Sequence, residues 1–196
     1  MTNSIEMPKD CIQAPPAVIV QFQKIDDRAV IPRYAHDGDM CMDLSVIIDK
    51  KDMKPFIMSD GVITPETQAI LANAVMVQTL GNKDYVSLEP GHSLVFHTGL
   101  KCSTPKGFGM NVFVRSSTGI KSKLRLCNGT GKIDTSQYRG EILIGLHNYG
   151  NSAKKIFSGD RVAQAEIIRV LNVAVVEVAE LSKTERGEGG FGSTGR

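Results

Sequence analysis

Residues 186–196, RGEGGFGSTGR, concentrate groups suited to a nucleoside phosphate. Arg186 offers a planar guanidinium fork to phosphate oxygens, Ser193 and Thr194 offer hydroxyl donors, and glycines such as Gly192 let backbone N–H groups approach a phosphate closely. Phe191 can cover a base. Such a segment can order over a nucleoside triphosphate, the ligand contacts offsetting the entropy of ordering. It reads as a flexible lid; the bland alternative is a disordered tail. Gly187, Gly189 and Gly192 match GxGxxG, but a dinucleotide fingerprint needs a strand leading in and a helix leading out, a context these residues do not offer. The sequence has no GxxxxGK[ST] loop.

The rest of the chain must position such a lid, and at 196 residues it is read as one domain. Its 23 basic and 21 acidic residues nearly cancel, so no overall field points to nucleic acid or a membrane surface as a partner. Cys11, Cys41, Cys102 and Cys127 are scattered without a CxxC pair, and the histidines form no HExxH cluster, which argues against a protein zinc site. The stretch MTNSIEMPKDCIQAPP has no basic start followed by an apolar run, and no segment reaches bilayer-spanning length. The expectation is a cytoplasmic protein.

Strand-like segments dominate: 17–25, 93–100, 108–115, 141–148, 162–171 and 173–181, separated by turn formers such as TPKG, NGTG and SGD. One helix is predicted over 64–81, with Thr64 as cap, Pro65 in the first position and Gly81 beyond the end. The fold class is therefore all-β, with one short inserted helix. Residues 1–16 are expected to form an irregular arm, 17–185 the β domain, and 186–196 the lid.

With four other stretches, the tail resembles the ordered motif set of the trimeric dUTPases. The first is GDMCMDL (38–44), the second VRSSTGIKSK (114–123), the third NGTGKIDTSQYRGEILIGLHN (128–148), the fourth GDRVAQAEI (159–167) and the fifth RGEGGFGSTG (186–195). The resemblance implies a jelly-roll-like subunit that hydrolyses dUTP to dUMP and pyrophosphate. It also implies a role for each matching residue. Asp134 is the carboxylate that takes the proton of the attacking water. Asp43 orients waters on a phosphate-bound Mg2+ as an outer-shell contact. Ser116 and Ser117 face the α- and β-phosphates, with Arg115 buttressing them, and Gln164 lies near the phosphate chain. The hairpin 127–134, with Asn128, Gly129, Gly131 and Ile133, reads uracil through backbone groups. Tyr138 packs under the deoxyribose, while Arg186 and Phe191 clamp phosphate and cover the base. A homotrimer is implied, in which one subunit supplies motifs one, two and four, a neighbour supplies motif three, and the third supplies the tail.

The chain departs from that pattern in places. Met40 and Cys41 replace small residues, Val114 stands where proline is usual, and three residues separate Asp134 from Tyr138 where two are common. Segment 49–86 is longer than the usual connection. It is either a surface elaboration or a docking surface for a protein partner. Two competing functions remain: a dCTP deaminase-like or bifunctional enzyme, disfavoured because Gly145 stands where those deaminases carry a glutamate, and a dUTP-responsive regulatory protein that binds a partner.

Overall fold

The computed structural model describes residues 18–48 and 77–190. The N-terminal arm, most of the inserted segment and Phe191, Gly192, Ser193 and Thr194 of the lid lie outside them. In chain order the strands are β1 (Gln21–Lys24), β2 (Met42–Ser45), β3 (Gln78–Leu80), β4 (Lys83–Leu88), β5 (Ser93–His97), β6 (Leu100–Ser103), β7 (Phe108–Val114), β8 (Leu124–Leu126), β9 (Gly131–Ile133), β10 (Leu143–Asn148), β11 (Lys154–Phe157) and β12 (Arg161–Arg169). A single π-helical turn, Ser117–Lys121, follows β7. No helix among the described residues is long and apolar enough to cross a membrane.

The strands form antiparallel sheets ordered β1-β6, β5-β10-β8, β11-β4-β3 and β2-β12-β7-β9. Side chains on a strand alternate between faces, and the sheets turn their apolar faces toward one core. Phe96 and Leu94 of β5 point into it with Ile144 and Leu146 of β10, and meet Leu44 and Val46 from the β2 region. On β12, Ala163 and Ala165 enter the core while Gln164 and Glu166 occupy the other face. Cys102 belongs to this core, and burial pushes its thiol up to about 11, which makes it an inert packing group. The architecture is a jelly-roll-like β fold, as the sequence leads one to expect.

Two sequence expectations fail. Gln78–Leu80, placed at the end of the predicted helix, instead form β3, which pairs with β4 as Gln78↔Tyr85, Thr79↔Asp84 and Leu80↔Lys83 around a Gly81-Asn82 turn. Cross-strand pairing outweighs local helix preference here. The earlier part of that helix, 64–76, lies outside the described residues. Tyr85, Val86 and Leu88 of β4 are buried, so the end of the long connection between motifs one and two feeds the core.

The second failure is 173–181, which forms no strand. Val173, Val175, Val176 and Leu181 stand exposed, Val175 at 93%. The alternation is real, but a strand needs an edge to pair with, and this segment pairs with none of the described strands.

Phe96 is fully buried at the centre of the core. Phe96→Ala is therefore expected to cost about 3–5 kcal/mol, measured by urea unfolding, because the cavity cannot collapse between paired sheets.

Candidate active site

The central sheet sets Asp43 on β2 directly opposite Gln164 on β12. Two guanidinium groups hold the Asp43 carboxylate: Arg115 Nε lies 2.7 Å from Oδ1 and Arg161 Nη1 lies 2.9 Å from Oδ2. Arg115 comes from the end of β7, and its Nη1 also donates to the Arg161 carbonyl at 3.2 Å. The arginine forks thus fix the orientation of a half-buried carboxylate across the strands.

Ser116 and Ser117 follow Arg115 at the start of the π-helical turn, both exposed. The turn is closed by Gly119 N–H to the Arg115 carbonyl at 2.9 Å and by Ser122 N–H to the Ser117 carbonyl at 3.1 Å. Tyr149 braces it from β10's end, its hydroxyl donating to the Gly119 carbonyl at 2.6 Å. Two hydroxyls are therefore presented beside a guanidinium, an arrangement suited to phosphate oxygens.

A cleft of about 550 Å³ opens on the outer face of the β5-β10-β8 sheet. Val95, Gly145 and Cys127 form its floor; Asn128, Gly131, Lys132 and Ile133 form one wall; Asp134, Tyr138 and Glu141 form another. The hairpin expected over 127–134 is instead a turn joining two sheets, because β8 pairs with β10 and β9 with β7. Gly131 packs closely against β7: a Cβ there would lie 3.0 Å from Val112 Cβ and force the two strands to shift by a few tenths of an ångström.

Asp134 sits at the head of a turn, its carbonyl accepting the N–H groups of Gln137 at 2.8 Å and Tyr138 at 2.7 Å. The next residue, Thr135, is fully buried and anchors that turn. Thr135 Oγ1 lies 2.6 Å from Thr104 Oγ1, and Thr104 Oγ1 donates to the Phe108 carbonyl at 3.0 Å, so the shared bond takes its proton from Thr135. Arg139 ties the loop from its other end, with Nη1 2.8 Å from the Thr135 and Tyr138 carbonyls. The Asp134 carboxylate itself remains exposed, open to solvent and ligand.

Two groups of the expected residues thus form separately. Asn128, Gly131, Ile133, Asp134 and Tyr138 line the cleft, with Gly129 in the turn between β8 and β9; Asp43, Arg115, Ser116, Ser117 and Gln164 gather at the central sheet and contribute nothing to the cleft lining. Arg186 is in neither group: its Nε donates to the Gly189 carbonyl at 2.8 Å within the exposed tail.

The dUTPase family model matches residues 80–195. The chain belongs to the dUTPase family. The deoxyuridine 5'-triphosphate nucleotidohydrolase of Alkaliphilus metalliredigens is 34% identical over 176 residues, covering 90% of this chain and 96% of the relative. The enzyme of the same name from Treponema denticola is 36% identical over 138 residues, covering 70% of this chain and 94% of its own. Among solved structures, the Staphylococcus bacteriophage 80alpha dUTPase with dUPNHPP superposes with a TM-score of 0.66 at 23% identity, covering 91% of this chain and 99% of that one. The dUTPase from phage phi11 of S. aureus, described with a species-specific insert, gives a TM-score of 0.60 at 19% identity, covering 85% and 99%.

The departures of this dUTPase-family chain have local structural reasons. The extra residue before Tyr138 is absorbed by the turn that bonds Asp134 to both Gln137 and Tyr138, which keeps the tyrosine at the cleft. Val114 takes a ladder position opposite Ala163, and Met40 points to solvent. Burial raises the Cys41 thiol from its ordinary value, with Glu166 and Asp39 adding to the shift, so it stays protonated. Gly145 brings no carboxylate to the cleft floor; a Cβ there would already lie 3.3 Å from Cys127 Sγ.

Sequence reasoning missed Arg161, Thr104, Thr135, Arg139 and Glu141. The GDR triplet was the available signal for Arg161; the threonine pair joins loops distant in sequence and left none. Thr135→Val is expected to cost about 1 kcal/mol by chemical unfolding, and the Thr104→Val, Thr135→Val double variant less than the sum of the two.

Proposed function

We propose that this protein hydrolyses dUTP to dUMP and pyrophosphate through in-line attack of water on the α-phosphorus, with Asp134 as general base. The observation that carries this reading is the meeting of Asp134, Tyr138 and the 128–133 segment around one cleft, on a turn anchored by Thr135. An exposed carboxylate on an immobilised turn can orient a water without itself moving. Backbone groups of 128–133 suit uracil, whose N3–H needs an acceptor and whose carbonyls need donors, the opposite of cytosine at position 4. The Tyr138 ring leaves the sugar no room for a ribose 2′-hydroxyl. The names of the curated relatives, deoxyuridine 5'-triphosphate nucleotidohydrolases, agree with this substrate.

Mg2+ fits as a metal carried by the triphosphate. Among the described residues no cluster of three or more His, Cys, Asp and Glu could hold a metal ion, and both Asp43 oxygens already accept from arginines. Asp43 would then reach the ion through water, and bound Mg2+ would neutralise charge on the phosphate oxygens. Arg115, Ser116, Ser117 and Gln164 receive the phosphate chain. Arg186, Phe191, Gly192, Ser193 and Thr194 close over it.

The reading requires a second copy, because the phosphate-side residues and the base-side cleft form apart in one subunit. One observation supports a homotrimer: the apolar residues 173–181 are exposed and strand-patterned, ready to pair with another copy. The N-terminal arm, β domain and lid are the units of this assembly, and segment 49–86 elaborates it, its end joining the core through Tyr85 and Val86.

Pyrophosphate release with Mg2+ tests the proposal with dUTP, dCTP, dTTP and UTP in parallel: rapid release is expected from dUTP alone. Asp134→Asn is expected to lower kcat by about 10²–10⁴-fold with nucleotide affinity nearly unchanged. Full turnover in that variant would remove Asp134 from its role.

A further inference from the structure

Glu141 lines the cleft wall beside Tyr138, and both its carboxylate oxygens are engaged. Oε1 accepts the Gly99 N–H at 2.7 Å, and Oε2 lies 2.8 Å from His97 Nδ1. A carboxylate only accepts, so the Nδ1 nitrogen carries the proton of that bond. Both partners belong to the corner where β5 turns into β6. Two more bonds fasten the same segments: the Thr98 hydroxyl, fully buried, donates to the Ile142 carbonyl at 2.7 Å, and the Ile142 N–H donates to the Leu100 carbonyl at 2.8 Å. The backbone at 141–142 is therefore clamped from its side chain and from its main chain.

That backbone in turn holds Tyr138. The phenol donates to the Glu141 carbonyl at 3.1 Å. The ring lies so close over Gly140 that any Cβ there would collide with it. Tyr138 is 46% exposed, so neighbouring side chains pack it only loosely. Its orientation depends on two backbone bonds, its N–H to Asp134 and its hydroxyl to Glu141.

We propose that Glu141, braced by His97 and Gly99, is a positioning residue that sets the Tyr138 ring against the sugar and so determines how strongly deoxyribose is preferred to ribose. The inference rests on the role given above to Tyr138. Glu141 does not need to touch the nucleotide: its side chain fixes the carbonyl that fixes the phenol. A ring free to swing away would open the space that a 2′-hydroxyl needs, while leaving Asp134 on its Thr135 anchor.

The test measures kcat and KM for dUTP and for UTP in the full chain and its variants. Tyr138→Ala should abolish most of the preference for dUTP. Glu141→Ala should lower the dUTP-over-UTP ratio of kcat/KM by about tenfold, with the larger change in KM for dUTP and in turnover of UTP. Glu141→Gln keeps an acceptor for the Gly99 N–H and should restore most of the ratio. His97→Ala, which spares the Glu141–Gly99 bond, should give an intermediate loss, and it carries the test if circular dichroism finds Glu141→Ala unfolded. An unchanged ratio in Glu141→Ala and His97→Ala, beside a collapsed ratio in Tyr138→Ala, would overturn the inference while leaving the role of Tyr138 intact. An unchanged ratio in Tyr138→Ala would overturn that role and the inference with it.

Discussion

In the central sheet Gln164 stands between Asp43 on one neighbour and Phe113 on the other, and two residues further along β12 Glu166 stands opposite Asn111. Asn111 is in turn paired with Lys132 of β9, the strand that leads to Asp134. Both groups of site residues therefore hang from one register. Because strand side chains alternate, a slip of one residue would turn Gln164 into the core and push Ala163 and Ala165 out of it. The small alanines that fill the core face hold that register, and the bulge between Arg161 and Ala163 lets Arg161 reach Asp43 without breaking it. Core packing and the placement of both residue groups are set by the same hydrogen-bond ladder.

The same sheet explains why the two groups of residues stand apart within one subunit. Arg115 and Arg161 hold Asp43 at one place, whereas the 128–133 segment and the Asp134 turn open onto the face of a different sheet. Arginine clamping of a partly buried carboxylate contributes orientation more than stability, since the cost of desolvating the charges offsets much of their attraction. What it supplies is a carboxylate held in one orientation at the edge of the central sheet.

The sequence alone made most of this legible where the signal is local. Alternation located β5, β7, β10 and β12, and the motifs named Asp43, Arg115, Asp134, Tyr138 and Gln164. What it missed is non-local. Local pattern predicts helix at β3 because only its pairing with β4 makes it a strand, and predicts a strand at 173–181, to which the described strands offer no edge. The Thr104–Thr135 bond and the brace on Glu141 join residues far apart in the chain, and nothing in either local sequence announces the other.

The division of the site between copies is the centre of this account, and it is tested by combining two defective chains. Asp43→Ala and Asp134→Asn, each nearly inactive alone, are unfolded together and refolded as a mixture. Sites that draw Asp43 from one chain and Asp134 from the other become whole, and dUTP hydrolysis should return to about a quarter of the wild-type rate, the random-pairing value for a site built by two subunits of a symmetric assembly. A mixture no more active than its components would show that each subunit builds its site alone, contradicting the account.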